Sequence, residues 1–184
     1  MEQSFLKRPI AITDLEMTGL DPAQHEIIEM GLVLVGQPNL EVIDTLDLKV
    51  HPEHPETAEP EALKVNGYRP EDWQDAVPLT EALEQYAAKT AGAVFAAYNI
   101  TYDWGFLERA FKKTGVKHTM DYHRIDIPSI AWAFMRQRGV QHVRLSVLSR
   151  YFGLHEEPLP HRAINGAMAA YEVLKKLVTL TQEA

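Results

Sequence analysis

The sequence predicts an α/β domain built on one mixed five-stranded sheet with helices packed against it. Two observations carry that reading. The first fifty residues hold three apolar, β-branched segments set apart by turn residues. From residue 93 the chain alternates strand and helix, and it closes on a long helix with a clean 3.6-residue apolar period.

In order, residues 9–13 form a short apolar run and the first strand, residues 27–35 the second. Gln37-Pro38-Asn39 marks a turn into residues 41–50, whose Val42, Asp44, Leu46 and Leu48 alternate imperfectly as the third. Residues 51–60 hold three prolines and no period, which predicts loop. A short helix over 61–65, a turn at Asn66-Gly67 and a helix over 79–90 follow. Residues 93–98 read as a strand, and 101–114 as a helix with Phe106, Leu107, Ala110 and Phe111 inward. Residues 123–127 are the fifth strand, with helices over 129–138 and 145–152. The last helix, 162–181, points Ile164, Ala167, Met168, Tyr171, Leu174, Leu177 and Val178 to one side. No repeat or linker interrupts the chain, so residues 1–184 are read as one domain, a size that supports a substantial core.

Composition excludes several chemistries. There is no cysteine, hence no disulfide, zinc–thiolate site, iron–sulfur cluster or thiol nucleophile. Residues 1–8 carry charge without an apolar core, and no stretch approaches the ~20 apolar residues of a membrane span, so a cytoplasmic location is expected. A net charge of −8 argues against a general nucleic-acid coat, but not against an enzyme that attracts phosphate through bound cations.

Asp14-Leu15-Glu16 follows the first strand directly. Residues two apart on a strand share a face, roughly 6–7 Å apart. Two like charges at a buried strand end repel and resist desolvation, so they call for a hard cation such as magnesium or manganese. Alone, the pair reads equally as a solvated strand end turning into Thr18-Gly19. Asp103 points along the buried face of its helix, with Leu107, Ala110 and Thr114 at i+4, i+7 and i+11. It is either an acid helped by the helix dipole or a ligand. Asn99 just before it reads as a cap or a substrate hydrogen-bonder. His161 opens the last helix, where a lone histidine is a surface residue or a base. His51 and His54 lie in a proline-rich loop without a third ligand, a weak case for a metal pair.

Three stretches then acquire meaning together: Asp14-Leu-Glu-Met-Thr-Gly-Leu-Asp-Pro22 with Glu26-Ile-Ile-Glu-Met-Gly31, Tyr98-Asn-Ile-Thr-Tyr-Asp-Trp-Gly-Phe-Leu107, and Pro160-His-Arg-Ala-Ile-Asn-Gly-Ala167. In this order they resemble the three motifs of the DEDDh 3′→5′ exonuclease superfamily, and Ala62-Leu-Lys-Val-Asn-Gly67 is similar to a loop those domains carry. The resemblance covers nearly the whole chain and implies a ribonuclease H-like fold. It implies two Mg²⁺ or Mn²⁺ ions, with Asp14 bridging both, Glu16 on the nucleophile-side ion and Asp103 acting through the waters of the second. It also implies that His161 takes the proton from the attacking water. Met17, Thr18, Leu20 and Asn99 would lie beside the terminal nucleotide. The implied substrate is a single-stranded or frayed 3′ end of DNA or RNA, and the product a nucleoside 5′-monophosphate.

One position departs from the pattern. Five residues after the histidine the superfamily carries aspartate, and here it is Gly166. No residue from Asn165 to Tyr171 supplies a carboxylate, and Glu172 comes too late on the helix. Asp126, ahead of Ile127-Pro128-Ser129, reads more simply as a helix N-cap than as a stand-in. Gly166 predicts a weakened nucleophile-side ion and an impaired exonuclease. It also keeps open a catalytically silent module that holds a nucleic-acid end or a partner protein. Asp14 to Leu20 further resembles the oligoribonucleases, which act as short-oligonucleotide scavengers.

Overall fold

The computed structural model describes residues 4–182, and the expectation that residues 1–8 carry no leader lies partly outside them. Five strands form one sheet: β1 (Ile10–Met17), β2 (Ile27–Gly36), β3 (Glu41–Lys49), β4 (Val94–Ala97) and β5 (Arg124–Asp126), in spatial order β3-β2-β1-β4-β5. β1, β2 and β3 are mutually antiparallel, whereas β4 runs parallel to β1 and β5 parallel to β4. Six α-helices complete the chain: α1 (Pro60–Asn66), α2 (Leu79–Lys89), α3 (Ile100–Thr114), α4 (Ile127–Met135), α5 (Leu145–Tyr151) and α6 (Ala163–Gln182).

The sheet divides two apolar layers. On one face Ala11, Leu15, Met30, Leu32 and Phe95 pack against Leu83 and Tyr86 of α2 and Phe106, Leu107 and Phe111 of α3. On the other, Ile10, Ile12, Val33, Val35 and Ala96 pack against Ile127 and Ala131 of α4, Leu148 of α5, and Ala167, Ala170, Leu174 and Leu177 of α6. Side chains alternate along a strand, so Asp14 and Glu16 share the α6 face of β1 with Ile10 and Ile12.

Two boundaries differ from expectation for identifiable reasons. The first strand does not end at Thr13. Its pairing with β4 stops there, but pairing with β2 continues through Glu16↔Glu29 to Met17↔Ile27, so the carboxylates lie within the strand. α4 begins at Ile127, not Ser129, because Asp126 caps it: its Oδ2 accepts the Ser129 N–H at 3.2 Å. Asp126 Oδ1 also accepts the Ile100 N–H at 3.1 Å, tying the starts of α3 and α4 together. The loop expected over 51–60 contains a single 3-10 turn, Pro55–Thr57. No helix of the described residues is long and apolar enough to cross a membrane.

Candidate active site

Beyond Thr13 one edge of β1 has no strand beside it, because β4 ends at Ala97 and the chain turns through Asn99 into α3. Asn99 makes that turn in the left-handed region at φ 74°, one residue before the helix. Asp103, in the first turn of α3 and only 5% exposed, reaches the open edge, and its Oδ1 accepts the Leu15 N–H at 2.9 Å. A carboxylate from the α3 layer is thereby fixed at the backbone between Asp14 and Glu16, which belong to the α6 layer. The site forms where the two layers meet over the carboxyl ends of parallel strands, the usual ligand position in open α/β sheets.

The third side comes from the start of α6, seated by two unusual contacts. Glu29 on β2 is 1% exposed; its Oε1 accepts from Arg162 Nη1 at 2.6 Å and its Oε2 from the Ala163 N–H at 3.1 Å. A strand residue thus satisfies a helix N-terminal donor and favours the positive end of the helix dipole. Beside it, Gly31 gives α6 room: a Cβ there would lie 2.2 Å from the Ala163 carbonyl. The backbone preceding α6 is tied to α1, since the His161 N–H donates to Val65 O at 3.0 Å. Asn66, 1% exposed, donates from Nδ2 to Met17 O at 3.1 Å. So α1 is a strap joining the end of β1 to the histidine. Read only as a turn residue in the sequence, Asn66 is a structural link of the site.

An open cleft of about 830 Å³ runs past this corner, lined among others by Asp14, Asn99, Arg144, Ser149, Glu157 and His161. Asp14 and Glu16 are half-buried. Among the described residues Asp14 makes no side-chain hydrogen bond or ion pair, and Asp103 has no cationic partner. Burial, then repulsion from Asp103, Glu16, Glu157 and Glu29, pushes Asp14 well above the usual carboxylate range. Burial and then Glu157, Glu29 and Asp103 push Glu16 up to about 8, against a lowering by Arg162. Burial raises Asp103 to about 7, although its backbone hydrogen bonds, Leu15 first, pull the other way. Arg162 is already committed to Glu29, so these groups repel one another without a neutralising partner. The three carboxylates offer the oxygen donors that Mg²⁺ and Mn²⁺ prefer, and among the described residues the donor atoms here that come within 4.8 Å of one another are those of Glu16, Glu157 and His161, a set compatible with such an ion.

Gly166, buried in the first turn of α6, lies directly against this cluster: a Cβ at that position would meet Asp14 Oδ2 at 2.4 Å. Met17 is half-buried, Leu20 is 61% exposed and Asn99 is exposed without a side-chain cap bond. Thr18 is different: it is 1% exposed and its hydroxyl accepts the Glu26 N–H, so in this structure it braces its own loop. Asp126 is occupied as the double cap and is no stand-in for position 166. His54 groups with Glu26 and Glu53 at the surface, but Lys113 Nζ already lies 2.6 Å from Glu53 and 3.8 Å from Glu26. His51 is not part of that group. A carboxylate absent from the sequence reading is Glu157, four residues before His161, whose Oε2 lies 3.7 Å from His161 Nδ1.

Comparison with known proteins gives these residues a context. A family model described as an exonuclease matches residues 11–174. The chain is 27% identical over 184 residues to the PolC-type DNA polymerase III of Caldanaerobacter subterraneus, covering 98% of this chain and 12% of the polymerase. It is 29% identical over 167 residues to the Bacillus subtilis polymerase of the same type, covering 90% of this chain and 11% of that one. The chain therefore spans about an eighth or less of these curated relatives. Among solved structures it is similar to E. coli exonuclease I in complex with a dT13 oligonucleotide, with a TM-score of 0.80 at 16% identity over 96% of this chain and 42% of that one. It is also similar to the nuclease domain of 3′hExo, a DEDDh family member bound to rAMP, with a TM-score of 0.75 at 20% identity over 100% of this chain and 96% of that one. At such identities these likenesses establish the ribonuclease H-like fold.

Proposed function

Because this chain belongs to the exonuclease family, we propose that it is a metal-dependent 3′→5′ exonuclease domain with Asp14, Glu16 and Asp103 as carboxylate ligands and His161 as general base. The observation that carries the reading is the convergence of two strand carboxylates and a buried helix carboxylate, none with a cationic partner, on one open strand edge beside a cleft that His161 lines. Bound Mg²⁺ or Mn²⁺ would neutralise charge on the scissile phosphate and raise the acidity of the attacking water. The chain's own groups do the rest. The His161 imidazole takes the proton from that water. Met17 and the exposed Leu20 offer apolar surface to the terminal nucleoside, and Asn99 a polar contact. Arg144, exposed at the cleft without a carboxylate partner among the described residues, supplies positive charge for a backbone phosphate in an otherwise acidic chain. The substrate is a single-stranded or frayed 3′ end of DNA or RNA, released as nucleoside 5′-monophosphates.

Gly166 withholds one carboxylate from the donor set, and the rate falls accordingly below that of a complete site. That same residue favours a second reading, a silent module that holds a nucleic-acid end. One experiment separates them. A 5′-labelled single-stranded oligonucleotide is incubated with Mn²⁺, with Mg²⁺ and with excess chelator. Stepwise shortening from the 3′ end with Mn²⁺ at least as effective as Mg²⁺, abolished by chelator, is expected. Full turnover in chelator would remove the metal mechanism, and tight binding of the end without shortening would establish the silent module.

A further inference from the structure

We propose that Glu157 is a metal ligand of this site and supplies the carboxylate that position 166 lacks. The inference rests on the metal-dependent reading above and assigns a residue outside the three motifs.

Gly166 lies at the site, but with no side chain: the volume a Cβ would take is occupied by the Asp14 carboxylate, 2.4 Å away. Glu157 lies on the loop between α5 and α6 and lines the same cleft as Asp14 and His161. Its Oε1 is anchored, accepting the Arg162 N–H at 3.2 Å, which fixes the carboxylate plane at the start of α6. Its Oε2 makes no hydrogen bond, and at 3.7 Å from His161 Nδ1 it is beyond hydrogen-bond reach of the ring. The side chain is only 13% exposed and pairs with no lysine or arginine among the described residues.

One donor atom each from Glu16, Glu157 and His161 falls within 4.8 Å of the others. Two oxygens on one Mg²⁺ or Mn²⁺ at ~2.1 Å each stand ~3 Å apart in adjacent positions and ~4.2 Å in opposite ones, so side-chain rotation of at most ~1–2 Å brings Glu16 and Glu157 onto one cation. Asp103, 5% exposed with no cationic partner, independently marks the corner as built for positive charge. With Glu157 the site again holds four carboxylates, Asp14, Glu16, Asp103 and Glu157, enough to balance two divalent ions. The charge is kept while its anchor point moves from the helix to the loop before it.

The test is Mn²⁺ binding by calorimetry at neutral pH without nucleic acid, on the wild type, Glu157→Gln, Asp14→Asn, and Glu157→Gln combined with Gly166→Asp. Glutamine keeps the acceptor for the Arg162 N–H, and thermal unfolding in chelator checks that the loop survives. Glu157→Gln is expected to weaken Mn²⁺ binding by more than about a hundredfold, beyond the ~10–100-fold that loss of an outer-shell partner typically costs. Gly166→Asp in that background is expected to recover at least part of the loss once Asp14 rotates aside. Wild-type affinity in Glu157→Gln, alongside weakened binding in Asp14→Asn, overturns the assignment and leaves the proposed function standing. Unchanged affinity with a shifted pH–rate profile also overturns it, and makes Glu157 a positioning residue for His161. No Mn²⁺ binding by the wild type, with Asp14→Asn indistinguishable from it, removes the metal reading and this inference together.

Discussion

The two halves of the candidate site are built by different means. The β1–α3 half is made of regular elements: Asp14 and Glu16 sit at alternate positions of a paired strand, and Asp103 is held by the Leu15 backbone from the first turn of a helix. The α6 half is made of connections. His161 precedes the helix, its backbone is strapped to Val65, Glu157 comes from a loop, and the helix start is bolted to Glu29. The first half fixes where charge accumulates, and the second fixes where the proposed base, His161, stands and how the cluster closes. A lesion in the first half, or at Glu157, should therefore act on cation binding, and one at His161 or Glu29 on rate or on the stability of the seam.

The largest expected effect tests that division. His161→Ala should lower the rate of mononucleotide release on the order of 10²–10⁴-fold while leaving Mn²⁺ and 3′-end binding nearly intact. Collapse of end binding with unchanged turnover per bound complex would make the histidine a contact and not a base. Next in size is Glu29→Ala, which strands the Ala163 N–H and the Arg162 guanidinium. A broken buried pair costs about 3–5 kcal/mol. Arg162 is about a third exposed, so roughly 2–3 kcal/mol is expected here, a fall of about 5–10 °C in Tm. A melting temperature within a degree of wild type would show that α6 is seated by packing alone.

The third effect is a pH dependence, and it belongs to the first half. Glu16, raised to about 8, and Asp103, raised to about 7, bind protons more tightly in the folded than in the unfolded chain. Their contribution is fully present below the unfolded carboxylate range and is lost as pH rises toward 7–8, with a slope of up to about 1.4 kcal/mol per pH unit for each group. In chelator, Tm should therefore fall between pH 5 and pH 8. Saturating Mn²⁺ should flatten or reverse that slope, because the ion competes with the protons. Parallel melting curves with and without Mn²⁺ across this range would mean that the cluster holds no cation.

Most of the fold was legible because its elements carry their own periods. The apolar run of β2, the inward Phe106, Leu107 and Phe111 of α3, and the 3.6-residue stripe of α6 each appear in the structure where the pattern puts them. Asp126 was legible as a cap because a cap needs only local sequence. The continuation of β1 to Met17 was not, since it depends on pairing with β2 through Glu16↔Glu29 and Met17↔Ile27 after β4 has ended. Asn66, Glu29 and Glu157 share the same opacity. Each acts through a partner distant in sequence or from an aperiodic loop, and the chain announces neither. Neither the helix after Gly166 nor Asp126 offers a replacement carboxylate in the sequence, and Glu157 lies before the histidine in a segment with no period to orient it.

Gly31 has a consequence for precision. Its Cα faces the Ala163 peptide with no β-carbon between, so the spacing between β2 and the first turn of α6 is set by main chain against main chain. Main-chain atoms have no rotamers to sample. The spacing between the backbone that carries the strand carboxylates and the start of α6 is thus fixed by bond lengths and peptide planes, whatever rotamers the side chains above it adopt. A single methyl group at residue 31 would act as a shim, lifting the helix and everything it carries away from Asp14 and Glu16 at once.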